Sequence, residues 1–335
     1  MNRESDCAKL VCVGFDGLAV NDDLRSVIAR GVRNVILFAR NYRDRAQLME
    51  LCREIKSLAP HGEPIMICVD HEGGRVQRFL EGFALIPSMR EIGRLVLGGD
   101  CEIAEHCAKR LGSGIAGELR ACGIHMNLAP VLDVDSNPDN PVIGERSFGR
   151  DPHLVARLGC AMIETFQSNG LAACGKHFPG HGDTSTDSHF DLPRLTHDMQ
   201  RLRDVELVPF AAAIAAGVAC IMTSHVMFEA LDPHYPATMS QRVITGLLRG
   251  DMGFDGVVIT DDLEMKAIAE HFGAVQGAIM AAKAGADMLM CCHTPSLQHE
   301  MIDMLEKVVS DGTLAVAGVQ RSLGRIAHLH AQHVG

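Results

Sequence analysis

The 335-residue sequence contains no tryptophan and only two tyrosines, Tyr42 and Tyr235. Proteins that hold long polysaccharides or single-stranded nucleic acid usually present several aromatic side chains for stacking. Because this chain has few of them, its composition favours a small ligand that polar groups hold inside a pocket. Positive charge is also scarce, and the formal net charge is −11 at pH 7. Since nucleic-acid binding requires clustered lysines and arginines, no nucleic acid is expected as a partner.

Sequence features of membrane and secreted proteins are missing as well. No apolar run reaches 18 residues, the length expected of a membrane-spanning helix. Residues 1–6 are polar and lack the basic and then apolar order of a signal peptide. The twelve cysteines include no Cys-x-x-Cys pair and lie in apolar runs or helix patterns, where thiols behave as small hydrophobic groups. We therefore expect a cytoplasmic protein with reduced cysteines, no membrane contact and no thiolate zinc site.

Short apolar runs alternate with longer amphipathic segments along the chain, which predicts alternating strands and helices. Strands are predicted at residues 10–15, 34–39, 64–70, 124–128, 171–176, 219–225, 256–261 and 286–291. Helices are predicted at residues 23–30, 43–58, 88–97, 102–121, 154–169, 199–216, 240–249, 273–284 and 295–309. Eight strands alternating with eight or more helices, without a linker between two halves, predict an α/β fold. The specific prediction is a single (β/α)8 TIM barrel, one domain over residues 1–335.

A doubly wound sheet is the alternative α/β architecture. It would place a Gly-x-Gly-x-x-Gly turn after the first strand, whereas the chain has Gly14-Phe15-Asp16-Gly17 there. The strands around Ile67 and Val258 are continuously apolar, as parallel strands buried on both faces should be. These observations favour the barrel.

The densest group of polar residues is the segment from Lys176 to His189, with the sequence Lys-His-Phe-Pro-Gly-His-Gly-Asp-Thr-Ser-Thr-Asp-Ser-His. Two glycines and a proline break regular structure within it. We expect its polar side chains to be displayed from irregular backbone at the end of a strand, where functional sites commonly lie. Asp187 and His189 stand two residues apart, so both point to one side of an extended segment. The carboxylate can then orient the imidazole as a general acid or base.

Polar residues follow four other predicted strands in the same way. They are Asp70, Asp133, Arg146, Ser224, His225, Asp261 and Asp262. In a TIM barrel the C-terminal ends of all strands meet at one face, where catalytic groups lie. The two adjacent aspartates point to opposite sides, so at most one faces the barrel mouth, and the other is expected to cap the following helix.

With these residues in place, the chain resembles the bacterial β-N-acetylhexosaminidases of glycoside hydrolase family 3, the single-domain type that acts in peptidoglycan recycling. The resemblance covers nearly the whole chain and rests on four ordered motifs. The first two are the segment from Lys176 to His189 and the stretch Asp-His-Glu-Gly-Gly-Arg-Val-Gln-Arg that begins at Asp70. The others are Gly-Glu-Arg-Ser-Phe from Gly144 and Thr-Asp-Asp-Leu-Glu-Met from Thr260.

The resemblance implies retaining hydrolysis that releases a terminal, non-reducing β-linked N-acetylglucosamine, from 1,6-anhydro-muropeptides as substrates and without a cofactor. Asp261 matches the nucleophile of the family, and His189 matches the acid/base, paired with Asp187. The positions that match sugar-binding residues are Asp70, Arg78, Arg146, Lys176 and His177. A retaining glycosidase independently requires a carboxylate nucleophile and a proton-transferring group. A histidine with an ordinary pKa of about 6.5 exchanges protons near neutral pH when a carboxylate orients it.

Alternative functions remain open from the sequence. A metal-dependent barrel hydrolase would take its ligands from an aspartate and from His177, His181, His189 or His225. Against it, no His-x-His or His-Glu-x-x-His pair stands at a strand end, so no metal is expected. Some relatives with an acid/base histidine transfer the sugar to phosphate, and the sequence does not separate a phosphorylase from a hydrolase. A non-catalytic sugar sensor would lack the nucleophile or the Asp-His pair, which are present. No motif specifies the oligomeric state, and we expect a monomer or weak dimer.

Overall fold

The computed structural model describes residues 6–60, 63–96, 100–185, 187–188 and 191–334. Eight parallel strands form its central sheet: Val11–Val13, Asn34–Leu37, Met66–Val69, Met126–Asn127, Ala172–Phe178, Cys220–Thr223, Val257–Thr260 and Leu289–Cys291. Neighbouring strands follow chain order, and the eighth strand pairs with the first. A parallel bridge between Ile259 and Met288 joins the seventh strand to the eighth. The ends of the sheet therefore meet, and the predicted (β/α)8 barrel is confirmed.

Helices surround the sheet between successive strands. Four of them begin where a side chain accepts a backbone N–H group: Asn21 from Leu24, Asp44 from Gln47, Asp151 from His153 and Asp198 from Arg201. The helices are Asp22–Ala29, Arg45–Ser57, Met89–Gly93, Glu102–Ala121, Pro152–Ser168, Met199–Arg201, Leu202–Glu206, Leu207–Ala215, Arg242–Asp251, Lys266–Ala269, Ala274–Ala284, Pro295–Ser310 and Val316–His333. In the described part of the chain, no helix is long and apolar enough to cross a membrane.

Every residue of the eight barrel strands is buried. This agrees with the continuously apolar runs in the sequence, because the barrel interior covers one face of each strand and the helices cover the other. The predicted helix at 88–97 is shorter than expected, since it is observed as Met89–Gly93, and residue 97 lies outside the described residues. Two small strand pairs were not predicted. They join His71–Gly73 to Val76–Gln77, and Arg194–Leu195 to Met227–Phe228.

The last helix, Val316–His333, is an element that the sequence pattern did not predict, because the assigned elements end at residue 309. It lies at the N-terminal ends of the strands, opposite the end that carries the polar motifs. Ser322 Oγ donates to Asp287 Oδ1 at 2.7 Å, and His330 Nε2 lies 2.8 Å from Asn34 Oδ1. The helix therefore buries polar side chains beside apolar ones, among them Val319, Ile326 and Leu329.

Candidate active site

The C-terminal ends of the barrel strands surround a cavity of about 280 Å³. Seven predicted site residues line it: Asp70, Arg78, Arg146, Lys176, His177, Asp187 and Asp261. The eighth predicted site residue, His189, lies outside the described residues. The barrel thus brings together side chains from all four sequence motifs, at the face where TIM-barrel active sites lie.

A network of charges, with Glu72 and Lys176 buried and the other members half-buried, forms one wall of this cavity. Lys176 Nζ lies 2.5 Å from Asp70 Oδ1 and 2.7 Å from Glu72 Oε1. Arg146 donates one hydrogen bond of 2.8 Å to each carboxylate oxygen of Glu72. Arg78 Nη2 lies 3.7 Å from Asp70 Oδ2. Because Lys176 and Arg146 donate to the same carboxylate, Glu72 determines how far apart the two cations lie.

Burial and charge pairing together set the protonation states in this network. Burial by itself would raise the pKa of Glu72, but Arg146 and Lys176 hold that pKa well below its usual range. Burial would likewise lower the pKa of Lys176, whereas Asp70 and Glu72 raise it above the ordinary lysine value. The pKa of Arg146 is also raised, because Glu72 outweighs the effect of burial. Lys176, Arg146 and Glu72 are therefore ionised at neutral pH.

Glu72 was not among the predicted site residues, although it stands two positions after Asp70. A signal for it existed in the sequence. A lysine and an arginine that the fold removes from water need carboxylate partners to offset the lost hydration. The motif that begins at Asp70 carries a second carboxylate, and the structure shows that this carboxylate joins the two cations.

The turn that carries Arg146 is itself held in place by a second arginine. Arg146 lies in the short 3-10 helix Gly144–Arg146, which follows the fourth strand. Arg90 Nη2 lies 2.5 Å from Asp135 Oδ2 and 3.2 Å from the Gly144 carbonyl oxygen. This pairing attaches the turn to the loop after the fourth strand, so Arg146 enters the cavity from a fixed direction.

Asp133, which follows the fourth strand, holds the two neighbouring histidines of the Lys176 segment. Its Oδ2 lies 2.7 Å from His177 Nδ1, and its Oδ1 accepts the backbone N–H groups of His177 at 3.1 Å and His181 at 2.7 Å. Burial alone would raise the pKa of Asp133, but His177 and these hydrogen bonds lower it below the usual range. The carboxylate is therefore an acceptor, and it fixes the orientation of the His177 ring in the cavity wall.

The polar segment that begins at Lys176 is less exposed than the sequence predicted. Its first three residues belong to the fifth strand, and His181, Thr184 and Ser188 are buried. His181 Nδ1 lies 2.9 Å from Thr184 Oγ1, and His181 Nε2 lies 3.0 Å from Ser188 Oγ. Burial lowers the pKa of His181 to about 4, so its ring is neutral. The segment does present polar side chains at the cavity, partly from irregular backbone beyond Phe178, as predicted, but most of them are buried because they satisfy one another inside the fold.

The end of this segment reaches the cavity and is bonded to the loop after the seventh strand. Asp187 and Ser188 line the cavity beside Asp261. The Ser188 carbonyl oxygen accepts the Ala267 N–H at 3.3 Å, which links the segment to the loop after the seventh strand. Loops from the fifth and seventh strands therefore place the carboxylates of Asp187 and Asp261 at one cavity.

The adjacent aspartates after the seventh strand have different surroundings. Asp261 lines the cavity, and its Oδ1 accepts the Asp262 N–H at 2.8 Å. Asp262 Oδ1 accepts the Glu264 N–H at 3.2 Å, and its Oδ2 lies 3.2 Å from His293 Nε2. The following helix, Lys266–Ala269, begins without a side-chain cap. The prediction that the second aspartate caps a helix is therefore wrong, since it caps a tight turn instead.

The described histidines that were considered as metal ligands are bonded to protein groups. His177 pairs with Asp133, and both ring nitrogens of His181 and of His225 lie within hydrogen-bonding distance of protein oxygens. Among the residues that the structure describes, no group of three or more histidine, cysteine or carboxylate side chains is arranged to hold a metal ion.

Comparison with known protein families agrees with this geometry. The family model described as glycosyl hydrolase family 3 N terminal domain matches residues 4–329. The chain belongs to glycosyl hydrolase family 3. A β-hexosaminidase from Thiobacillus denitrificans is 42% identical over 308 residues, which cover 92% of this chain and 84% of that protein. The predicted family and the predicted enzyme class, a glycoside hydrolase, are therefore confirmed.

Solved structures of family 3 proteins share the barrel. A β-N-acetylglucosaminidase from Paenibacillus sp. superposes with a TM-score of 0.95 at 42% identity over 99% of this chain. This chain spans 63% of the length of that protein. NagZ from Neisseria gonorrhoeae, in complex with N-trifluoroacetyl-D-glucosamine, superposes with a TM-score of 0.85 at 34% identity. That alignment covers 97% of this chain and 90% of NagZ.

Proposed function

We propose that this family 3 enzyme is a retaining exo-β-N-acetylglucosaminidase. The observation that carries the proposal is that Asp261 shares one cavity with a network of paired cations and carboxylates, of which Lys176 and Glu72 are buried. A cavity of about 280 Å³ is small for a ligand site, which suits a single terminal sugar. The similar proteins include one named a β-N-acetylglucosaminidase and one bound to an N-acylated glucosamine.

We assign the nucleophile to Asp261. In a retaining mechanism, a carboxylate oxygen forms a bond to the anomeric carbon while the glycosidic C–O bond breaks and an acid protonates the leaving oxygen. Water then attacks the glycosyl-enzyme, loses a proton to the same group acting as base, and releases the sugar with its β configuration. We assign this acid and base role to His189, with Asp187 as the carboxylate that orients it.

The charged wall supplies the groups that we assign to sugar binding. Lys176 and Arg146 donate to hydroxyl or carbonyl oxygens of the sugar, and Asp70 accepts from its hydroxyl groups. Arg78 and His177 are the other two residues that we assign to sugar binding. Hydrogen bonds to charged groups contribute about 1.5–3 kcal/mol each. These groups should also distinguish N-acetylglucosamine from other sugars. An analogue that lacks one of the matching hydroxyl groups leaves a charged side chain of the wall without its hydrogen-bond partner.

We further propose that the natural substrates are 1,6-anhydro-muropeptides of peptidoglycan recycling and that residues 1–335 act as one catalytic domain, as a monomer or weak dimer. The resemblance of the four motifs supports the substrate proposal. Comparing kcat/KM for a 1,6-anhydro-muropeptide and for chitobiose tests it. Equal or better turnover of chitobiose would contradict a preference for muropeptides.

Hydrolysis of 4-nitrophenyl N-acetyl-β-glucosaminide tests the reaction and its residues. We expect Asp261→Ala to abolish turnover and His189→Ala to lower kcat by about 10²- to 10⁴-fold. Asp139→Ala, at an exposed aspartate, should retain wild-type activity and serves as the control. NMR of the fresh product should show the β anomer. Full activity of Asp261→Ala or an α product would refute the mechanism, and turnover that requires phosphate would identify a phosphorylase. Loss of activity on chelation would support a metal-dependent reaction.

A further inference from the structure

His225 lies beyond the end of the sixth strand, fully buried, and does not line the cavity. Its Nε2 lies 2.9 Å from the Asp262 carbonyl oxygen, and its Nδ1 lies 2.8 Å from Thr238 Oγ1. A carbonyl oxygen only accepts hydrogen bonds, so His225 Nε2 must carry the proton and donate it. The ring therefore connects Thr238 to the backbone that follows Asp261.

The backbone of Asp262 is bonded on both sides of its α-carbon. Its N–H group donates to Asp261 Oδ1 at 2.8 Å, and its carbonyl oxygen accepts from His225. An N–H group aimed at one carboxylate oxygen limits the rotation of the Asp261 side chain. Any change in the position of the Asp262 backbone therefore changes the direction of the Asp261 carboxylate.

The hydroxyl of Thr238 supplies the complementary donor for the Nε2–H tautomer of His225. Burial lowers the pKa of His225 below its usual value, so the ring is neutral and Nδ1 carries a lone pair. The single hydroxyl proton of Thr238 can go either to Nδ1 or to the Ser224 carbonyl oxygen, and the positioning role requires that it goes to Nδ1. The Ser224 carbonyl oxygen, 2.9 Å from the same hydroxyl, already accepts the Thr238 backbone N–H at 3.2 Å. With that proton directed to Nδ1, the Thr223 hydroxyl, 3.0 Å from Thr238 Oγ1, can only donate to it.

We propose that His225, held in its Nε2–H tautomer by Thr238, is a positioning residue for the nucleophile Asp261 and acts through the backbone of Asp262. The inference rests on the proposed function, because it takes Asp261 as the group that attacks the sugar. Thr238 and His225 lie outside the cavity lining, so their effect on sugar binding is expected to be small.

The test compares Thr238→Val with Thr238→Ser. Valine keeps the shape of threonine but leaves Nδ1 without a donor, whereas serine keeps the hydroxyl. Since a misplacement of about 1 Å costs roughly 10²-fold in rate, we expect Thr238→Val to lower kcat by about 10- to 100-fold. KM and the inhibition constant of N-acetylglucosamine should remain close to wild type. Thr238→Ser should restore most of kcat.

A second variant and two further measurements complete the test. In ¹⁵N NMR of the imidazoles, the His225 signals of the wild type should show a proton on Nε2, and Thr238→Val should shift them. His225→Gln, whose side-chain N–H can reach the Asp262 carbonyl, should retain more activity than His225→Leu. Mass spectrometry after trapping with a 5-fluoro-N-acetylglucosaminyl fluoride should place the label on Asp261.

These measurements separate the failure of this inference from that of the proposed function. A label on Asp261 combined with wild-type kcat in Thr238→Val overturns the positioning role alone. A rise in KM equal to the loss of kcat/KM, with kcat unchanged, also overturns it, because the variant would then affect binding only. A label on another residue overturns the nucleophile assignment and this inference together.

Discussion

Replacing Glu72 by glutamine tests whether one buried carboxylate organises the sugar-binding wall. Glu72 accepts two hydrogen bonds from Arg146 and pairs with Lys176 at 2.7 Å. Glutamine keeps one acceptor oxygen, but its NH2 group replaces the other oxygen. That NH2 group then faces an N–H donor of Arg146 or Lys176 and cannot accept from it. Breaking a buried ion pair in this way costs about 3–5 kcal/mol, and Asp70 still pairs with Lys176. We therefore expect the free energy of unfolding of Glu72→Gln to fall by about 3 kcal/mol.

The same substitution should reduce activity, because the two cations lose their common partner. The loss of one to two charge-assisted hydrogen bonds corresponds to about 3 kcal/mol, which is on the order of 100-fold in kcat/KM. Kinetics on 4-nitrophenyl N-acetyl-β-glucosaminide and urea unfolding measure the two effects. Glu145→Gln, at an exposed carboxylate beside Arg146, is the matched control and should resemble wild type. Wild-type kcat/KM and unfolding midpoint for Glu72→Gln would refute the reasoning.

Three further predictions follow from burial and backbone geometry. Gly182→Ala places a Cβ 1.7 Å from the Val134 carbonyl oxygen, so the loop that carries Asp187 must shift. We expect kcat to fall at least about tenfold, and unchanged kinetics would contradict this expectation. Gly324→Ala, within the last helix and with nothing inside 4 Å, should raise the free energy of unfolding by about 1 kcal/mol, and a lower melting temperature would argue against it. Burial lowers the pKa values of His181 and His330 to about 4, below the unfolded value of 6.5. The unfolded chain therefore binds more protons than the folded chain between pH 6.5 and 4. As the pH is lowered through that window, the free energy of unfolding should decrease by about 1.4 kcal/mol per pH unit for each histidine. His330→Gln should reduce this slope in unfolding measured at pH 7, 6 and 5, and an identical slope would refute the assignment.

The sequence alone was sufficient for the barrel and for most of the candidate site. Apolar runs such as Met66–Val69 and Val257–Thr260 identify parallel strands. Because such strands are buried on both faces, polar and apolar residues do not alternate along them. Once eight such strands are counted, the polar residues after them must meet at one face. Asp70, Lys176 and Asp261 could therefore be placed together before any coordinates were known, and the structure brings them to one cavity.

Only the tertiary structure decided which polar groups pair with one another. Glu72 and Arg146 are 74 positions apart, and no local pattern relates them, yet their hydrogen bonds set the geometry of the wall. Asp133 likewise acquires its role through His177, 44 positions later. The exposure of the Lys176 segment was predicted wrongly for the same reason. Hydrophobic periodicity is a local property that one strand displays by itself, whereas the burial of a charge depends on partners that only the closed barrel supplies.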